Sequence, residues 1–313
     1  MIEEMLHVAL ASNLLVSVGG HPRFYGRDIV PRYPGPVPHH TPGFAVNLER
    51  CSVGFVRDTC MVIERPEEPS APPEDDNFET IGQFYMSVEA ALKALSQQFG
   101  DQLFAANNPA RQLSEGYFPE VSDTGDLNIV TDLESALAAI QIIIEQGEGI
   151  LDSHYDDVSK QELAHYYKFK RIVDGDAPLG DVWPVVKNPH TSDLSGPIRN
   201  LSDLFNGCFC YMLLALEEIF SITDQTRKHE IVFRGLFSIM SAALPQLART
   251  MMSRPISEGA SANGGPTFEY IEFQRSVSVQ SQLEGLCESA RRGDAGLDRI
   301  TSIVSTLPDL NRV

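Results

Sequence analysis

The sequence predicts an all-α fold: a helical bundle with long Pro-rich loops and additional C-terminal helices. Three observations carry that prediction. Apolar residues recur at helical spacing in several long windows. Capping residues and glycines bracket those windows. The segments between them are dense in Pro and Gly and hold little that alternates with the period of a strand. At 313 residues, 42% hydrophobic and 21% charged, the chain buries a sizeable core. It reads as a single helical domain over 1–313. In it, 1–175 forms one bundle half with a Pro-rich excursion at 20–51, and 196–313 supplies the C-terminal helices.

The first helix spans 2–17, where Leu6, Ala9, Leu10, Asn13, Leu14 and Ser17 share a face and Gly19-Gly20 ends the run. Residues 20–51 carry too many prolines for a long helix and are expected to be extended but ordered. A short strand-like piece begins at Cys60 and becomes an acidic, Pro-rich linker. Thr80 N-caps a helix over 81–99, with Ile81, Phe84, Val88, Ala91 and Leu92 on one face. After an irregular stretch at 100–130, Asp132 or Thr131 caps a helix ending in glycines near 149. Ser159 caps the next, over 159–173. Beyond a proline-rich loop at 174–197 come long helices at 198–222 and 226–252, then shorter ones at 278–292 and 294–306. No internal repeat is present.

A net charge of −19 excludes a nucleic-acid binder, which needs Lys and Arg clusters, and disfavours adsorption to an anionic membrane. No apolar run approaches the roughly 20 residues of a bilayer span. The first apolar stretch carries Glu3, Glu4 and His7 without a basic leader, so no signal peptide is expected. The five cysteines, Cys51, Cys60, Cys208, Cys210 and Cys287, do not have zinc-knuckle spacing and read as reduced thiols of a cytoplasmic protein. The remaining partner class is a small-molecule substrate.

The chemistry concentrates in two Glu-x-x-His pairs, Glu4/His7 and Glu162/His165, each on a predicted helix. Positions i and i+3 share a helical face, so both side chains can reach one ion. Dinuclear iron and manganese bundles use this pair twice, with one Glu from each of two further helices. Between the pairs, the helix ending "EQGEG" supplies Glu145 and Glu148. Taken singly, each pair has a plain structural reading. Glu162 is a favoured acid near a helix start, and His7 a satisfied core histidine. Together, in this order, they point to a metal centre that lacks one Glu-bearing helix.

The stretches "EEMLHVALASNLLVSVGGHPRF", "YPGPVPHHTPGFAVNLE", "TIGQFY", "IIIEQGEG", "ELAHYYKFKRI", "LFNGCFCYMLLAL" and "GGPTFEY" occur in that order over residues 1 to about 270. They resemble the ferritin-like domain family of the iminophenyl-pyruvate dimer synthase type. The resemblance implies a ferritin-like bundle with a dinuclear iron or manganese site. Glu4 and His7 would be its second-helix ligands, Glu148 (or Glu145) the third-helix ligand, and Glu162 and His165 the fourth-helix ligands. It also implies a further Glu-bearing helix upstream, whereas Met1 falls where that helix would lead in. The groove so left could be filled by a second copy in a homodimer.

Three functional readings follow. The first is a non-haem dimetal oxidoreductase or oxygenase acting on a small organic metabolite, in secondary metabolism. The second is a metal-free cyclase, dimerisation catalyst or binding protein reusing the bundle pocket. The third is a terpenoid cyclase holding magnesium on Asp75 and Asp76 of "DDNFE", although acids before a helix start have an electrostatic explanation of their own. His39, His40 and Tyr166 are candidate substrate-binding residues; as plain structure, the histidines belong to a rigid loop and Tyr166 to the core.

Overall fold

The computed structural model describes residues 2–38, 40, 43–65, 80–117, 127–147, 165–257 and 259–310, with only the backbone of 2, 3, 81 and 145–147. Helix α1 is Ile2–Ser17. Helix α2 runs without a break through Val53–Phe55, a π-helical turn at Val56–Cys60, and Met61–Ile63. Then come α3 (Ile81–Phe99), α4 (Leu133–Gly147), α5 (His165–Asp174), α6 (Pro197–Ile219), α7 (Gln225–Met252, with π-helical turns at Ile231–Leu236 and Ile239–Ala243), α8 (Val279–Arg291) and α9 (Asp298–Val304). Two-residue strands at Gly35–Pro36 and Ala45–Val46 are the strands of the described residues. The architecture is all-α, as the periodicity predicts.

Capping chemistry sets several helix starts. Thr80 Oγ1 accepts the Gln83 N–H at 3.1 Å, and Asp132 Oδ1 accepts the Ser135 N–H at 2.8 Å. The Ser278 hydroxyl accepts the Ser281 N–H at 3.0 Å. Gly19, at φ +84°, closes α1 in a left-handed conformation that other residues adopt at a cost. The predicted strand-like piece at Cys60 is a correction: it is the end of α2. A short apolar run cannot by itself be told from a buried strand. The deciding contact lies eight residues upstream, where Ser52 Oγ accepts the Phe55 N–H at 3.0 Å and starts a helix. Helix α7 adds a qualification to the absence of long apolar runs. By length and composition it is apolar enough to cross a membrane, because scattered Ser and Arg interrupt its apolar runs without making it polar on average. Ile231, Val232, Leu236, Ile239 and Leu247 of this helix are buried in the protein core.

The chain divides into two compact units. The N-terminal unit comprises 1–21, 36–46 and 51–181; the C-terminal unit comprises 22–35, 47–50 and 182–313. The predicted excursion is therefore shared between them. In the C-terminal unit its backbone is held by side chains: Glu217 Oε1 accepts the N–H groups of Phe24 and Tyr25 at 2.8 and 3.0 Å, and Asn188 Oδ1 accepts that of Leu48 at 2.8 Å.

In the N-terminal unit α4 packs against both α1 and α3, and α5 packs along α2. Leu6, Leu10 and Val16 of α1 and Ala136, Ala139 and Ile140 of α4 are buried. The α1 face includes one fully buried amide. Asn13 donates to the Leu113 and Asn128 carbonyls at 2.8 and 3.0 Å and accepts the Leu113 N–H at 2.9 Å. A loop thereby docks on a helix with its polar groups satisfied.

In the C-terminal unit α6 is the central helix, packed against α7 and α8. At Gly207 a Cβ would lie 2.6 Å from Leu286 Cδ1 and 2.9 Å from Leu283 Cδ2, so a larger residue there would have to displace leucine side chains of α8. One stripe of α6 receives residues 267–271. Asn206 Oδ1 accepts from the Thr267 hydroxyl (2.9 Å) and the Glu269 N–H (3.0 Å), and Cys210 Sγ from the Ile271 N–H (3.2 Å). To present Thr267 and Glu269 to the same amide, Phe268 adopts φ +51°. Such a conformation costs about 1–3 kcal/mol in a bulky residue. Edge-on contacts of its ring with Phe205 and Phe209, at 5.0 and 5.2 Å, hold it there.

Two outcomes are expected. Asn13→Ala strands the Leu113 N–H and two carbonyls, and should cost about 3 kcal/mol, read as a fall of roughly 10 °C in melting temperature. Thiol alkylation of the native protein should label exposed Cys51 first. Burial pushes the Cys210 and Cys287 thiols up to about 11 and Cys208 higher still, so mass spectrometry should find these three protected until denaturant is added.

Candidate metal centre

Three helices of the N-terminal unit bring three ligand atoms together. Glu4 stands in the first turn of α1, Glu64 at the C-cap of α2 and His165 at the start of α5. One ligand atom from each lies within 4.8 Å of the others. His165 Nδ1 is 3.2 Å from Glu4 Oε1 and 3.6 Å from Glu64 Oε2. His7 joins from one turn along α1, with Nδ1 3.8 Å from Glu4 Oε2. The packing of α5 along α2 is what sets His165 beside Glu64.

The donor set fits a divalent cation. Ligand atoms bonded at about 2.2 Å to one ion stand roughly 3.1–4.4 Å apart, and the two distances from His165 Nδ1 fall in that range. Two carboxylates beside one imidazole carry an excess of negative charge that a cation would neutralise. The donors are oxygen and nitrogen, suited to iron, manganese or zinc. Cys60, one turn before Glu64, adds no thiolate: burial first, then its proximity to Cys51 and Glu64, raises its thiol above the usual range. Exposure divides the site. The side chains of His7, His165 and Glu64 are 14%, 16% and 21% exposed, against 53% for Glu4, so the centre opens toward solvent on the Glu4 side.

Of the expected ligands, Glu4, His7 and His165 are brought together. Glu148 and Glu162, and the side chain of Glu145, lie outside the described residues, as do His39, Asp75 and Asp76. His40 packs at a tilt against Phe44, with ring centroids 4.5 Å apart, and its buried ring nitrogens have no hydrogen-bond partner among the described residues. Tyr166 packs edge-on against Tyr167 at 5.3 Å. Glu64 was not foreseen, because reading its segment as a strand hid it. One signal was available. A carboxylate at the C-terminal end of a helix faces the negative end of the macrodipole, an unfavourable position without a cation nearby.

Comparison with known proteins shows the family of the chain. Residues 1–174 match the ferritin-like family. The chain is 22% identical to dichlorochromopyrrolate synthase of Lentzea aerocolonigenes, over 98% of this chain and 33% of that protein. It thus spans about a third of the length of the curated relative. A crystal structure of a ferritin-like protein from Caulobacter vibrioides superposes with a TM-score of 0.54 at 20% identity, over 84% of this chain and 83% of that one, a likeness of fold. With the family match covering more than half of its length, the chain belongs to the ferritin-like family.

Proposed function

We propose that the protein is a ferritin-like, non-haem metal-dependent oxidoreductase that acts on a small organic metabolite in a biosynthetic pathway. The observation that carries this reading is the convergence of Glu4, Glu64 and His165 from three separate helices. The relative bearing the name of a synthase supports a biosynthetic role. The N-terminal unit contains the segment matched to the family apart from 22–35 and 47–50, so it is the part expected to carry the metal chemistry.

In this reading Glu4, Glu64 and His165 hold the first metal ion, and His7 orients Glu4 through the contact between Nδ1 and Oε2. A second ion calls for further carboxylates. Glu162 would stand one helical turn before His165, and Glu148 or Glu145 is the other expected donor. Bound iron or manganese would supply redox chemistry toward dioxygen or peroxide. The protein excludes water on the Glu64 and His165 side and admits substrate on the Glu4 side.

Anaerobic titration with ferrous or manganous ion, followed by elemental analysis, tests the assignment. The wild-type chain should bind one to two ions. Glu64→Ala and His165→Ala should each weaken binding at least about 100-fold while the helical circular dichroism is retained, because each removes a ligand rather than its support. Unchanged metal content in both variants would overturn the reading and favour a metal-free catalyst or binding protein. Ferrous ion at about 100 times its dissociation constant should stabilise the wild-type protein by about 2.7 kcal/mol. That increment should be absent from His165→Ala in parallel thermal melts.

A further inference from the structure

We draw no further inference here: the strongest candidate, the His40 imidazole in the loop between the two short paired strands, has buried ring nitrogens without a hydrogen-bond partner among the described residues, and nothing in the structure shows what would meet them.

Discussion

Two carboxylates held against one imidazole set the terms for the N-terminal unit. Glu4 and Glu64 converge on His165 from different helices, with Glu64 at the unfavourable end of its helix dipole. Nothing in helix propensity or apolar burial asks for that arrangement. The packing of α5 along α2 sets His165 beside Glu64, while α1, which carries Glu4, is held on α4. A cation would resolve the repulsion and offset the dipole at once. Packing and charge therefore point to the same chemistry. Burial of His7, His165 and Glu64 beside a half-exposed Glu4 gives the centre a closed side and an open side.

The C-terminal unit is organised on a different principle. Its central helix α6 uses one stripe of small polar residues, Ser202, Asn206 and Cys210, to satisfy the backbone and side chains of an extended segment. That is the role a neighbouring strand plays in a sheet. It is also why segment 267–271 is ordered without regular secondary structure. The same device secures the excursion, whose backbone is met by Glu217 and Asn188. Long Pro-rich segments stay ordered here because side chains of the C-terminal unit accept their amide protons.

Much of this was legible in residue order. The period of α1, the caps at Thr80 and Asp132, and the Glu4/His7 pair can be read directly, because each depends on neighbours within a few positions. What was not legible depends on distant contacts. The buried role of Asn13 needs Leu113, a hundred residues away. Glu64 needs α2 to be a helix, which rests on Ser52, and then needs α5 beside it. The division into two units that share the excursion cannot be inferred from local pattern, since 22–35 and 36–46 have the same Pro-rich composition.

The most direct test of the central claim is a crystal structure of the protein loaded with manganese, with anomalous scattering recorded near the metal edge. The account predicts an anomalous peak bonded to carboxylate oxygens of Glu4 and Glu64 and to a ring nitrogen of His165. A loaded crystal with no peak between these three side chains, or with the metal bound elsewhere in the chain, would contradict it.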